Sequence, residues 1–466
     1  MFVGRDNELG ALEELYATDT FQFPVVYGRR RVGKTSLLRH FTEGKADVVF
    51  FTAQEATIAE NLSLLSRELS KEQDSPLPEG FPVYQSLYQA FEEIFRRAAS
   101  KRLVFVIDEY PYLAKSDPSA SSALQTLIDN NQASSKLMLI LCGSSLSFME
   151  HQVLGRQSPL YGRRTAQLRI NPFTAFDAAQ MLPGAPPQTV IELYSIAGGV
   201  PLYLSQLDGS KSTEWNISQK VFRQDSILYE EPRAYLHQET RSPAAYNSII
   251  AAIANGHVRP SEISDATSIP SSAVNRYLES LIELKIVERC IPMVLRNKKQ
   301  VVYRISDNLF RFWFRFVPRY AGTIEAEMGA AVAKRIMSDD FPTFVGPAFE
   351  VVCRQWLMRE AVEGRLGLLP KEIGSWWGTD PRTRNQEEID IVLEGSDEEL
   401  VFGECKWKSR PVDVDVLDKL LERSSLLSGS SRSFFLFSKS GFTKSCVEAA
   451  KGRGDIRLVT PEEMFA

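Results

Sequence analysis

The sequence predicts an α/β protein of several domains, and three observations carry that expectation. The octapeptide Gly28-Arg29-Arg30-Arg31-Val32-Gly33-Lys34-Thr35 fits G-x-x-x-x-G-K-[ST] and lies between an apolar run, 23–27, and a helix-like stretch, 36–41. Two further runs, 103–107 and 137–142, are wholly apolar and have the length of parallel strands buried on both faces. Towards the C-terminus, 388–393 and 401–407 alternate with period two, which marks a second sheet.

Composition bounds what this architecture can serve. A chain of 466 residues, 44% hydrophobic and 24% charged, has ordinary globular composition and supports about three cores. Its net charge of −5 carries no global nucleic-acid signal, so any such contact must be local. The five cysteines, at 142, 290, 353, 405 and 446, are scattered without a C-x-x-C pair, which implies neither disulfides nor structural zinc. A reducing cytoplasm is the expected compartment. The N-terminal residues lack a signal-peptide pattern and no apolar run approaches the ~20 residues of a membrane span, so no membrane partner is expected.

The octapeptide is a phosphate-binding loop in its working strand–loop–helix context. Gly28, Arg29, Arg30, Arg31, Val32 and Gly33 would turn backbone N–H groups around phosphate oxygens, with Ser36 opening the helix whose N-terminus adds partial positive charge. Lys34 would reach the β/γ-phosphates and the Thr35 hydroxyl would hold Mg²⁺. The 103–107 strand ends in Asp108-Glu109, where Asp108 suits indirect Mg²⁺ binding and Glu109 suits activating the attacking water. At the tip of the next strand, the Ser144 hydroxyl would reach the γ-phosphate or that water. Arg163 and Arg164 either neutralise transition-state charge, in cis or from a neighbouring subunit of a homo-oligomer, or form a solvated pair.

These residues, with Phe2-Val3-Gly4-Arg5-Asp6-Asn7-Glu8-Leu9 and Gly162-Arg163-Arg164, resemble the archaeal-type ATPase family, of the STAND class and related to AAA+ proteins. Gly198-Gly199-Val200-Pro201 is similar to that family's Gly-x-Pro element in the helical lid. The resemblance implies ATP as the nucleotide and packing of residues 2–9 near adenine.

From Ser242 the pattern shifts to short amphipathic helices at 244–254, from Pro260 and from Pro270, followed by strands at 286–289 and 301–304. Three helices and a hairpin describe a winged helix-turn-helix. On DNA, Ser271, Ser272, Asn275 and Arg276 would line the third helix, and Lys298 and Lys299 would meet phosphates from the wing tip. The alternative is a rigid spacer, because the excess of basic residues here is modest. The segment 305–320, dense in aromatics and arginines, reads as a buried helix between domains with its arginines on the exposed flank.

The last domain supplies acids in order: Glu350 on a helix over 344–360, Asp390 opposite Ile389 and Ile391 on one strand, then Glu404 and Lys406 on one face of the next. Carboxylates on adjacent strands hold one or two Mg²⁺ ions, here through Asp390 and Glu404, and a nearby lysine positions or activates water for phosphodiester hydrolysis. The arrangement resembles the PD-(D/E)XK nuclease superfamily. Gly374-Ser375-Trp376-Trp377-Gly378 and Gly403-Glu404-Cys405-Lys406-Trp407 resemble the C-terminal domain fused to archaeal-type ATPases. By that resemblance Glu350, Asp390, Glu404 and Lys406 take the catalytic places.

The fold class expected is therefore α/β: a P-loop NTPase parallel sheet (1–172) with a helical lid (173–240), a winged helix (241–305), a junction (306–340) and a restriction-endonuclease-like domain (341–466). The function expected is ATP hydrolysis controlling a metal-dependent nuclease, with ATP and Mg²⁺ as cofactors and DNA as partner. The alternative is a nucleotide-switched regulator whose C-terminal domain is inert.

Overall fold

The computed structural model describes residues 2–71, 84–293 and 300–466, in two compact units, Met1–Pro172 and Phe173–Ala466. Lys298, Lys299 and most of the polar 71–82 stretch lie outside the described residues. Among the described residues no helix is long and apolar enough to cross a membrane.

The first unit is built on five parallel strands: β1 (Pro24–Tyr27), β2 (Val48–Thr52), β3 (Leu103–Asp108), β4 (Leu137–Gly143) and β5 (Ala166–Arg169), in the order β2-β3-β4-β1-β5. Every residue of β1, β3 and β4 is buried, because helices cover both faces of the sheet. Val25 and Tyr27 join the core on one face, and Val26 joins Leu37 and Phe41 on the other. With β4 between β1 and β3, three strand ends converge on one edge: the loop after β1, the acids after β3 and Ser144 after β4.

The second unit opens with helices. Gly198 takes φ +62 and ψ −155, a region only glycine occupies readily, and so ends the helix Pro187–Ala197. A Cβ at Gly199 would lie 1.8 Å from the Phe173 carbonyl oxygen, and the Phe173 N–H donates to the Gly199 carbonyl at 2.7 Å. Because the clash is with backbone, Gly199→Ala is expected to destabilise this unit by about 3 kcal/mol or more. An unchanged urea midpoint for that variant would contradict this packing.

Helices Pro243–Ala254, Pro260–Thr267 and Ser271–Glu283 precede an antiparallel pair, β6 (Val287–Cys290) and β7 (Val302–Ile305). Val274, Leu278 and Leu281 form the buried stripe of the third helix. Helix Asn308–Phe316 then buries all its aromatic rings, and Trp313 Nε1 donates to the Tyr229 carbonyl at 2.7 Å. The aromatics therefore pack as core. Arg315 lies exposed as expected, whereas Arg311 is largely covered and stacks 4.3 Å over the Phe344 ring.

The C-terminal sheet contains β8 (Pro370–Thr379), β9 (Gln386–Gly395), β10 (Leu400–Lys406), β11 (Arg432–Ser438) and β12 (Ile456–Val459), in the order β12-β11-β10-β9-β8. The meander β8-β9-β10 is antiparallel, and β10, β11 and β12 run parallel. Helices Val414–Ser424 and Lys444–Lys451 make the connections that parallel strands require. One expectation needs correction here. Ile391 packs in the core cluster shared with helix Phe341–Val362, but Ile389 packs with Val392 in the other cluster, so Asp390 does not simply oppose both isoleucines. The β8–β9 pairing is irregular between Gly374 and Trp376, and such a bulge twists the strand locally and breaks strict alternation.

Candidate active sites

The first site is assembled around the 28–35 loop. Gly33 has φ +87 and caps the helix Lys34–Thr42, so the chain turns where only glycine does so cheaply. Gly28 is needed for another reason: a Cβ there would lie 2.3 Å from the Ile170 carbonyl oxygen. Lys34 is buried, and its Nζ donates to the Gly28 and Arg29 carbonyls, each at 3.0 Å. Burial lowers its pKa from the ordinary lysine value, against the opposing pull of Cys142, Glu109 and Asp108.

Thr35 Oγ1 donates to Asp108 Oδ2 at 2.8 Å, which ties the loop to the end of β3. Hydroxyl and carboxylate are the hard oxygen donors that Mg²⁺ takes, alone or through water, so this pair suits a nucleotide-bound Mg²⁺. Glu109 stands at φ +52 between β3 and the helix Tyr110–Ser116, and its Oε2 accepts from the Ser144 hydroxyl at 2.7 Å and the Ser144 N–H at 3.3 Å. Ser144 therefore orients the candidate base. Arg30 donates to the Tyr112 hydroxyl at 2.8 Å. Arg5, which the motif did not identify, donates to the carbonyls of Val32 (3.0 Å) and Asn171 (2.7 Å), and Phe2 stacks on His40 at 4.3 Å.

Arg163 forks onto Asp129, with both bonds at 2.7 Å, at a half-exposed position. A role at the γ-phosphate would require it to leave that carboxylate. Arg164 reaches the Leu154 carbonyl at 3.4 Å.

The second site lies at the ends of β9 and β10. Gly403 pairs with Ile391, so the next residues along each strand bring Glu404 alongside Asp390. The Cys405 N–H donates to Asp390 Oδ2 at 2.8 Å. Lys406 Nζ stands 2.5 Å from Glu404 Oε1 and 3.7 Å from Asp390 Oδ2. Arg423, missed by sequence reasoning, reaches Glu404 Oε1 at 3.7 Å from helix Val414–Ser424. Among the described residues the buried Glu404 Oε2 has no hydrogen-bond partner.

Electrostatics bind Glu350 to the same cluster. Burial, then the nearby Asp390 charge, push its carboxyl up to about 7 against the pull of Arg354 and Arg304. Burial and Asp390 also raise Glu404. Burial opposes the charge on Lys406, but Glu404 and Asp390 prevail and raise its pKa, so it stays an ammonium. Among the described residues no three His, Cys, Asp or Glu side chains form a ready-made metal cage. The oxygen donors of Asp390 and Glu404, one of them orphaned, nonetheless suit a hard divalent cation.

A raised carboxyl has a consequence for stability. Its contribution is complete below the unfolded value of 4.5 and is lost as pH rises through about 7. Without divalent cations, stability is expected to fall over that window, and Glu350→Gln should flatten the fall in urea-unfolding measurements. A parallel slope in both proteins would contradict it.

On the winged helix, Asn275 and Arg276 are exposed on the helix Ser271–Glu283, as are Ser271 and Ser272. Arg304 on β7 faces the C-terminal sheet, 3.4 Å from Glu388, and Trp377 Nε1 donates to the Gln300 carbonyl at 3.2 Å.

Comparison with known proteins bears on the ATPase and helix-turn-helix segments. Residues 2–207 match the model of an ATPase domain predominantly from Archaea. Residues 249–289 match an IclR helix-turn-helix domain, and 313–417 match archaeal and bacterial proteins of unknown function. An uncharacterized protein of Methanocaldococcus jannaschii is 32% identical over 433 residues, covering 92% of this chain and 93% of that protein. An uncharacterized ATP-binding protein of the same organism is 47% identical over 45 residues, 10% of this chain and 76% of its own. Among solved structures, the Walker-type ATPase paby2304 of Pyrococcus abyssi is similar over 67% of this chain and 96% of its own, with 21% identity and a TM-score of 0.49. The ORC2 protein of Aeropyrum pernix is similar over 72% of this chain and 95% of its own, with 14% identity and a TM-score of 0.43. With an intact phosphate loop, its acids at the neighbouring strand ends and a relative matched over nearly the whole length, the chain belongs to the archaeal-type P-loop ATPase family.

Proposed function

We propose that this ATPase controls a metal-dependent phosphodiesterase in its own C-terminal domain, acting on nucleic acid, with DNA as the favoured substrate. The observation that carries the reading is the cluster of Glu350, Asp390, Glu404 and Lys406, drawn from one helix and two adjacent strands, with a buried carboxylate oxygen left unpartnered. Carboxyls such as Glu350 and Glu404, whose pKa burial and the nearby Asp390 charge raise, suit a cation that cancels the crowded charge. Such a cation, when bound, supplies charge neutralisation and a water acidic enough to attack phosphorus.

Asp390 and Glu404 would hold it, and Glu350 would orient the attacking water from its helix. Lys406 keeps its proton and would hold the phosphate oxygens, so it positions substrate rather than taking a proton from water. At the first site, Lys34 would hold the β/γ-phosphates, Thr35 and Asp108 would keep Mg²⁺ in register, and Glu109, oriented by Ser144, would accept the proton of the lytic water. Exposed Asn275 and Arg276 suit contact with DNA in the major groove, in keeping with the helix-turn-helix match.

The test is incubation of the full chain with supercoiled plasmid and Mg²⁺ or Mn²⁺, with and without ATP. Cleavage whose rate changes with ATP is expected. Intact plasmid under every condition, from protein that still hydrolyses ATP, would overturn the nuclease reading.

A further inference from the structure

A cleft of about 470 Å³ opens beside the second site, between the winged helix, helix Asn308–Phe316 and the start of helix Phe341–Val362. Four guanidinium groups line it: Arg304, Arg311, Arg315 and Arg354. They face two carboxylates, Glu288 and Asp340, and Asp340 is already engaged by Arg319 at 3.5 Å. The lining itself is therefore net positive, with the Glu350 carboxyl close enough to act on Arg304, Arg311 and Arg354.

The arginines are incompletely used. Arg311 makes a 3.5 Å bond to the Ser195 carbonyl and stacks on the face of Phe344, and among the described residues its buried Nε meets no hydrogen-bond partner. Burial lowers its pKa to about 10 against the pull of the nearby Glu350 carboxyl. Arg354 donates one bond, to Ser375 Oγ at 2.8 Å. Arg304 leans on Glu388 at 3.4 Å.

Ile253, Val258, Pro347 and Val351 add apolar surface to the same lining. A cleft lined by both guanidinium forks and aliphatic side chains fits a ligand that carries an anionic group and a flat or apolar part. Guanidinium pairs match phosphate bidentately, and the volume is in the range of small-ligand pockets.

We propose that this cleft binds a 5′-phosphorylated nucleoside, separately from the phosphate loop, with the phosphate on the arginines and the nucleoside against the aliphatic side chains of the lining. Two sources share that chemistry: a free nucleotide and the 5′-phosphorylated end of a nucleic-acid strand. Because the cleft is lined by the helix that carries Glu350 and by β7 of the winged helix, occupancy bears on both elements at once. The assignment stands on the cleft itself and does not need the nuclease reading.

The test uses the full chain carrying Lys34→Ala, so that the phosphate loop no longer competes. AMP is titrated calorimetrically in the absence of divalent cations. One saturable site per chain is expected, weakened about tenfold or more by Arg315→Ala and by Arg354→Ala, the loss of one charge-assisted contact. Arg315 is exposed, so its variant should fold normally, and on the natural background its ATP hydrolysis should be unchanged. Displacement of AMP by a tetranucleotide only when it is 5′-phosphorylated would identify a strand end as the source, and AMP binding without such displacement would identify the free nucleotide. Absence of AMP binding up to about 10 mM, or affinity unchanged in both arginine variants, would overturn the proposal.

Discussion

Replacing Lys34 with alanine is expected to lower ATP hydrolysis by about 10²–10³-fold, the scale on which one charge-stabilising donor usually counts. The ammonium is buried and held on two carbonyls of its own loop at 3.0 Å, so it is already positioned where phosphate oxygens would replace those carbonyls. No other lysine lies in the loop to replace it. Glu109→Gln should separate binding from chemistry. The amide keeps the shape and can still bond Ser144, but it cannot take a proton from water, so ATP should bind with near-normal affinity while turnover is lost. Steady-state hydrolysis together with filter binding of ATP distinguishes the two variants. Wild-type kcat/KM in Lys34→Ala would remove the loop from the catalytic account.

Glu404→Gln is expected to abolish phosphodiester cleavage, by more than the about 10–100-fold that altering a residue behind a metal ligand costs. Gln keeps a carbonyl oxygen near Lys406 but loses the charge that the Glu404 carboxylate offers a divalent cation. The fold should survive and even gain, because the substitution removes a carboxylate whose ionisation burial and Asp390 both oppose. ATP hydrolysis should be unaffected, since Glu404 belongs to a separate compact unit. Plasmid cleavage, ATP turnover and the urea midpoint of the same preparation test all three expectations. Cleavage at the natural rate would exclude the cluster as the cutting site.

Much of both sites was legible in the residues because their chemistry is written in short windows. A phosphate loop needs its glycines and lysine at set spacing, and the apolar run ahead of Asp108-Glu109 marks a buried strand without help from elsewhere. The second cluster was legible because period-two alternation forces Glu404 and Lys406 onto one face. Alternation failed at Ile389, since β9 bulges there, setting Asp390 and Ile391 against the single residue Ser375 of β8, and no sequence pattern marks that extra residue. Ser144 was identified as a hydroxyl at a strand tip, but not as the donor that holds Glu109, because that pairing depends on β4 lying beside β3.

By itself, then, the sequence determined the phosphate loop, the acids that accompany it, the winged helix and the order of acids in the last domain, since each rests on residues a few positions apart or on one strand's period. Only the tertiary structure decided that Arg163 is held by Asp129, that Arg423 reaches Glu404, and that Arg304, Arg311 and Arg354 line one cleft beside Glu350. Arg163 and Asp129 lie 34 residues apart and Arg423 and Glu404 lie 19 apart, beyond the reach of any local pattern. What joins them is helices and sheets packing their apolar faces, which sets the position of a charged side chain with no pattern in the charges themselves.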